Sequence, residues 1–500
     1  MTTLVTPGAN VRWGNAPAQP AESTAIDTTF LPIVAERGPV DTPVALVDIV
    51  GYRDTFGDRA VGFEMSYDVV EALTRGTRGR RVVAIRVPGG PAHATAEVTL
   101  DDGEGEPAAA VTITAAWPGA AGNRLTVDVV AGSSADLRTL VVTSDDVEVQ
   151  RVIDFDGAGD LVDQLESSTW VRGTLDGEAD AIPAVVADQD LAGGDDDLDN
   201  LTLTEVEAAL ELLDESWGRG QLIAPLWTST AAHELLLEQA AKDGRNRVAY
   251  LDAPLVTTFD DTVHTTWAGL RDAVSEHLVD GVDISRLGLP FPVWHNLQPY
   301  GTGDGIPRRV PGSVFAAAVT ATADQTNTPS TMPIAERGYP ADAGTNGVFR
   351  EPVLTITAQQ RTALTADHIN VPAYDQQLGA RLYGFRSVSA DPMWRQGNWA
   401  RYGMSLQARL DARAERFVGG HITRDTLAEL KNNAALELTA DYEAGDIFGD
   451  TVDDAFTVDV GDTVNPADEI AAGRMRGRAE VTMTPAGETV IFDLLARPIA

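Results

Sequence analysis

No cysteine occurs anywhere in the 500 residues of this chain. Disulfides, thiolate catalysis and cysteine-ligated zinc or iron–sulfur centres are therefore excluded, whatever the compartment. Lysine is nearly absent as well, with only Lys242 and Lys431. Neither follows a glycine, so there is no GxxxxGK phosphate loop. No apolar run reaches the roughly 18–20 residues that a membrane helix needs, and no basic–apolar–small leader opens the sequence. The seven histidines, at 93, 233, 264, 277, 295, 368 and 421, lie far apart, with no HExxH and no i, i+4 pair for zinc. There is no GxSxG elbow, because Gly312-Ser313 is flanked by Pro311 and Val314. Gly301-Thr302-Gly303-Asp304-Gly305 lacks the third glycine and the helix of a dinucleotide fingerprint. The acidic run Gly193-Gly194-Asp195-Asp196-Asp197-Leu198-Asp199-Asn200 lacks the calcium-loop spacing and its terminal glutamate. It reads as a solvated loop leading into a helix N-terminus, where carboxylates are favoured. No catalytic, cofactor-binding or metal-ligating residue is expected.

What is abundant is acid. Against 37 basic residues stand 75 acidic ones, a formal charge of −38. Such a surface repels phosphate backbones and anionic membranes, so neither nucleic acid nor membrane insertion is expected. It also keeps copies of an abundant protein from associating nonspecifically. With 43% hydrophobic and 22% charged residues the chain is otherwise an ordinary globular one, long enough for about two to four domains.

Residues 1–24 hold three prolines and scattered Leu4, Val5, Val11 and Trp13. They cannot build a core, and read either as a disordered tail or as an arm that orders on a neighbour. Strands are expected at 28–35, 44–50 and 81–87, with a helix over 63–75 carrying Met65, Val69, Ala72 and Leu73 on one face. From 88 to 186 short alternating runs separated by Gly, Asp and Ser clusters point to an inserted β-sandwich or small barrel. Strand–helix alternation then resumes. A capping box at Thr204-x-x-Glu207 opens a helix, followed by strands at 221–224 and 248–251, helices around 231–241 and 262–278, and a short strand near 291–295. Residues 296–355, rich in Gly, Pro and Thr, read as loops with occasional strands. A long helix over 396–418 and a second over 424–438, N-capped by Thr423, form the last globular block. The fold class expected is multidomain α/β. A mixed or parallel-sheet core with helices on both faces carries the inserted β-sandwich and is followed by an α+β C-terminal part with extended arms.

Two features suggest surfaces. Arg395, Arg401, Arg409, Arg413 and Arg416 make the long helix basic, the last three at i, i+4 and i+7. Either Asp411 and Glu415 neutralise this ridge within the helix, or it meets an acidic partner. At the terminus Arg474, Arg476 and Arg478 recur at period two, so in a strand they share one face, inviting an acidic neighbouring subunit. Two short strands, 480–483 and 489–495, flank a Pro485-Ala486-Gly487 turn. A lone hairpin is marginal in water, so this one needs another sheet, partly on another copy of the chain.

Five stretches, in order, carry a resemblance to one known family. Thr6-Pro7-Gly8-Ala9-Asn10-Val11 resembles that family's "PGV" arm. Val34-Ala35-Glu36-Arg37-Gly38-Pro39-Val40-Asp41-Thr42-Pro43 is similar to its "AERGPxxTP" signature. Trp117-Pro118-Gly119-Ala120-Ala121-Gly122-Asn123-Arg124-Leu125 resembles its "PGxxGNxL" segment, and Leu191-Ala192-Gly193-Gly194-Asp195 its "LxGGxDG" segment. Residues 465–485 resemble its terminal "N…G+l+G…v…P" pattern. The family that these stretches resemble is the contractile-tail sheath proteins, the sheaths of phage tails and of related injection machines. Asp196 or Asp197 replaces the family's usual glycine, and residues 367–420 follow the family only loosely.

The resemblance implies a structural subunit that polymerises as stacked hexameric rings around a tail tube and contracts to drive the tube through a target envelope. It implies a non-catalytic, subtilisin-like core and a virion-tail location after assembly in the bacterial host cytoplasm. Its partners would be other copies, the tube, and baseplate and terminator proteins. The implied organisation is a linking arm (1–24), the first part of the core (25–87), the insert (88–186), the core proper (187–365), a tube-facing C-terminal domain (366–480) and a second arm (481–500). Arm contacts then fall on Leu4, Val5, Val11, Trp13, Val481, Met483, Val490, Phe492 and Leu494. Tube or neighbour contacts fall on Arg409, Arg413, Arg416, Arg474, Arg476 and Arg478. An α/β hydrolase-like virion enzyme and a static shell or adhesin are the rival readings.

Overall fold

The structure is a computed structural model and describes residues 26–76, 81–102, 108–242, 245–298, 308–323, 348–375 and 379–484. Its centre is a six-stranded sheet, ordered Gly288–Pro290, Arg247–Leu251, Gly220–Ile223, Thr28–Ile33, Val82–Arg86 and Val44–Leu46. Neighbouring strands are parallel except the last pair, in which Val44–Leu46 runs antiparallel at the edge. The central strands are wholly buried, as expected when helices cover both faces. On one face Leu31, Ile33, Val82 and Ala84 pack against the helices Glu64–Gly76 and Gly312–Ala323. On the other, Phe30, Val83, Ile85 and Leu222 meet the helices Leu203–Glu211 and Thr230–Ala241.

Several local expectations shift. The second strand is only Val44–Leu46, because Asp48 caps a helix, Ile49–Phe56, through its carboxylate and the Gly51 amide. The capping box ahead of Leu203–Glu211 is made by Thr202 and Glu205 rather than by Thr204 and Glu207. Thr423 caps Arg424–Ala444 as anticipated. The largest omission is the helix Gly312–Ala323, inside a stretch that reads as loop. Residues Gly312 to Ala321 are all buried, so the sequence GSVFAAAVTATA carries no polar face and no period to recognise. Its small side chains let it lie directly against the sheet: a Cβ on Gly312 would stand 2.3 Å from the Phe291 carbonyl oxygen.

A separate cluster of buried residues extends from Ala96 to Leu191. It lies between a three-stranded sheet (Glu97–Asp101, Ala109–Ala115, Val171–Leu175) and a four-stranded one (Val186–Asp190, Leu125–Ala131, Arg138–Ser144, Val147–Phe155). Every strand pair in both sheets is antiparallel. The helix Ala158–Leu165, unanticipated from the sequence, adds Leu161 and Leu165 to the same core. The final cluster joins Tyr402 and Leu406 of the helix Gly397–Ala414 to Leu438 of the helix Arg424–Ala444 and to Phe456 and Val458 of a two-stranded sheet.

Arg401 ties this last part to the central sheet. Its side chain is fully buried and its guanidinium donates to Gln221 Oε1 (3.2 Å) and to the Tyr250 hydroxyl (3.1 Å), both on core strands. Gln221 in turn donates to Thr29 Oγ1 at 3.1 Å, so the polar chain crosses the sheet. Phe315 sits against the sheet with His295 stacked on it at 4.2 Å and Phe349 edge-on at 5.3 Å. Truncating Phe315 to Ala should cost about 3–5 kcal/mol, read from urea unfolding; a loss below about 1 kcal/mol would mean that this helix is not packed as described.

Candidate assembly surface

The nearest approach to catalytic chemistry lies at the C-terminal edge of the parallel sheet. Asp252, one residue past the strand Arg247–Leu251, accepts from both the backbone N–H (2.8 Å) and the hydroxyl (2.5 Å) of Ser313. Ser313 lies in the first turn of the helix Gly312–Ala323, so the carboxylate satisfies donors at the helix's positive end. His233 Nε2 meets the backbone carbonyl of Asp252 at 2.8 Å, not its carboxylate. His295 Nδ1 faces the Arg350 carbonyl, and its ring lies against Phe315. The serine thus donates to an acid that caps the helix, and neither of these histidines orients the pair for nucleophilic attack.

Burial sets the protonation of these groups. Asp252 is pushed up to about 7 by desolvation, which its hydrogen bonds from Ser313 only partly oppose. His233 and His295 are both lowered to about 4 by desolvation. The native state therefore holds an extra proton on Asp252 between about 3.9 and 7, and that contribution to stability fades as pH rises through this window. The histidines act oppositely: the unfolded chain takes up their protons, so stability falls as pH drops from about 6.5 to 4. Asp252→Asn should accordingly gain on the parent as pH rises from 4 to 7. His295→Phe should gain on it as pH falls from 6.5 to 4. Parallel stability–pH curves for parent and variant would contradict the assignment.

The sequence-predicted contact residues that the structure describes lie in the C-terminal part. The strand Arg478–Val481 pairs antiparallel with Phe456–Asp459, and among the described residues these two form a sheet by themselves. Phe456, Val458 and Val481 turn inward to the helices, while Asp459 faces Arg478 across the outer side. Beside the sheet lies an open groove of about 690 Å³, whose apolar lining includes Leu406, Leu410, Phe417, Leu430, Met475 and Val481. Val418, at its rim, is 74% exposed.

The arginines single out different roles. Arg401, counted from the sequence among the basic residues of the long helix, is inside the core. Arg409 makes a two-pronged contact with Asp441 (2.8 and 2.7 Å) and reaches Glu437 at 3.1 Å. Burial alone would lower Arg409, but the Asp441 hydrogen bonds and charge outweigh it and hold it above its ordinary value. Arg413 also pairs with Glu437, and Arg416 with Glu429 at 3.0 Å. The ridge is therefore neutralised by the next helix, Arg424–Ala444. Asp411, on one of the two sequence readings an intrahelical partner for the ridge, takes Arg219 at 2.7 Å. Spacing along one helix cannot reveal a partner on another. Arg474 and Arg476 precede the strand rather than share its face, and both pair with Glu469 (2.7 and 3.0 Å). Arg478 is in the strand, beside Glu480 at 2.9 Å. Arg416, Arg474, Arg476 and Arg478 all keep about half or more of their side chains exposed.

Val481 is half-buried against its own chain's C-terminal core, and Met483 bridges to Ile447 there. The second strand of the anticipated hairpin, with Val490, Phe492 and Leu494, lies outside the described residues, as do Leu4, Val5, Val11 and Trp13. The first strand's partner is Phe456–Asp459, which sequence proximity could not indicate.

With a parallel core sheet, a two-sheet β unit and a small C-terminal sheet joined in this order, the chain has the fold of contractile-tail sheath proteins. A sheath tail protein from Listeria innocua matches with a TM-score of 0.62 at 13% identity, over 93% of this chain and 97% of its own. One from Desulfitobacterium hafniense matches at 0.57 and 14%, over 91% and 93%. The helical sheath of the anti-feeding prophage in its contracted state matches at 0.55 and 14%, over 99% of both chains. No protein-family model and no curated protein sequence matches the chain.

Asp441, 5% exposed, also accepts from the Tyr402 hydroxyl at 2.7 Å. Arg409→Ala would strand this buried carboxylate and should cost about 3 kcal/mol. Arg416→Glu breaks an exposed pair and should cost below about 1 kcal/mol. Equal losses for the two in thermal or urea unfolding would overturn this division between structural and surface arginines.

Proposed function

We propose that the chain is the structural subunit of a contractile sheath, polymerising as stacked hexameric rings around a tail tube and shortening to drive the tube through a cell envelope. The observation that carries this reading is the two-stranded sheet beside an open groove with an apolar lining, on a fold shared along nearly its whole length with sheath proteins. A sheet of two strands is marginal and offers unpaired backbone to an incoming strand. Strand addition supplies main-chain hydrogen bonds that tolerate rigid-body displacement, which suits contacts that must survive contraction. Head-to-tail contacts that do not close generate a helical filament. We assign residues 1–24 and 481–500 as the linking arms and place the arm of a neighbouring copy on this sheet and groove. Residues 366–480 are then the part that faces the tube, with Arg416, Arg474, Arg476 and Arg478 as its exposed cations and Arg409 and Arg413 as its internal braces.

The stored energy of such a sheath lies in the difference between two packings, so the subunit needs no catalytic site and no cofactor. The helix-capping role of Asp252 toward Ser313 supports that view over a hydrolase. Baseplate and terminator proteins would template the ends, and the virion tail, or the corresponding injection particle assembled in the host cytoplasm, is its location. The −38 charge would keep free subunits apart until a template gathers them.

Removing residues 1–20, or residues 488–500, should leave a folded, soluble monomer that cannot polymerise. Electron microscopy decides the outcome: the intact chain should form striated cylinders on tubes, and normal cylinders from either truncation would sink the arm assignment.

A further inference from the structure

Three of the sequence stretches singled out at the start, 34–43, 117–125 and 191–197, are far apart in the chain but meet at one buried side chain. Arg86 ends the core strand Val82–Arg86 and is only 1% exposed. Its guanidinium donates to the carbonyls of Ala35 (2.9 Å), Gly38 (3.0 Å) and Pro118 (2.9 Å), with Glu36 O at 3.5 Å. The Asp196 carboxylate stands 3.9 Å away. The accepting carbonyls of Ala35, Glu36 and Gly38 belong to a core loop, whereas Pro118 belongs to the β unit built around the Ala96–Leu191 cluster.

Further contacts brace the same boundary. The segments that enter and leave the β unit pair with each other through the bridges Ala94–Asp195 and Glu97–Ala192. Asn123 and Gly194 exchange two hydrogen bonds, side-chain amide to backbone, at 2.8 Å each. Glu36 pairs with Arg124, and Arg37 lies over the Trp170 ring at 4.5 Å. Asp197 Oδ2 accepts from the Ala92 amide at 2.8 Å. The loops pack so closely that Gly119, at φ +121°, has no room for a Cβ, which would stand 2.3 Å from Asp196 Oδ1.

We infer that Arg86 is the pin of a rigid joint that fixes the β unit to the parallel-sheet core, so that the two move as one body. A planar fork with five donors reaches carbonyls on several sides at once, whereas a lysine ammonium has only three donors on a single atom and cannot span the same set. Burial leaves Arg86 lowered to about 10, still protonated at neutral pH, so the joint stays charged and donating. A hinge made of two polypeptide crossings alone would swing; here side chains from both sides close it. These residues are thus spent within the subunit and are not offered to a neighbour. The inference stands apart from the sheath reading, since it concerns a single free chain.

The absence of native cysteine makes the test direct. Spin labels at Ser134→Cys on the β unit and Glu215→Cys on the core, both exposed positions, report the distance distribution between the two bodies in the full-length chain. The parent should give one narrow distribution. Arg86→Lys, with folding checked by circular dichroism, should broaden it at least twofold and speed protease cleavage at residues 88–93 and 192–197 about tenfold. Asn123→Ala, which removes only an exposed pair of bonds, should act in the same direction, with cleavage about threefold faster. If Arg86→Lys fails to fold, Asn123→Ala alone decides. Parental width and parental cleavage in every variant that folds would overturn the joint.

Discussion

A sheet of parallel strands has no face that can be left to water, and most of this molecule follows from that constraint. Five parallel strands, buried on both sides, demand helices above and below. One of those helices, Gly312–Ala323, is so enclosed that it can carry almost no polar side chain. Its N-terminal donors must then be satisfied from within, and Asp252 does so from the end of a core strand. The acid and serine that might suggest catalysis are therefore explained by the need to cap a buried helix.

The same economy governs charge. The interior admits arginine where a fork of donors meets several acceptors, as at Arg86, Arg401 and Arg247. Each of these binds elements distant in sequence: Arg86 the β unit and the core, Arg401 the C-terminal helix and the sheet, Arg247 the loop carbonyls of Leu213, Asp214 and Gly218. On the outside, acid predominates and most exposed arginines already have an acidic neighbour. Near the C-terminus the surface also presents an open groove with an apolar lining beside the short two-stranded sheet.

Much of this was legible from the residues. The absence of cysteine, of clustered histidine and of nucleotide loops closed off whole classes of chemistry, and strand–helix alternation with buried apolar runs announced the parallel core. The five short motifs pointed to the sheath fold that the structural neighbours share. Three of the motif segments turn out to be joint pieces around Arg86, a role that no local pattern expresses, because its partners lie between 32 residues (Pro118) and 110 residues (Asp196) away along the chain.

Composition and periodicity by themselves determined the class of fold and the excess of acid, because both depend on residue types and short-range spacing. Tertiary structure alone decided which arginines are braces and which are exposed, which helix could be wholly apolar, and where the terminal strand finds its partner. Those outcomes depend on contacts between distant segments, where burial and hydrogen-bond satisfaction, rather than local propensity, select the arrangement.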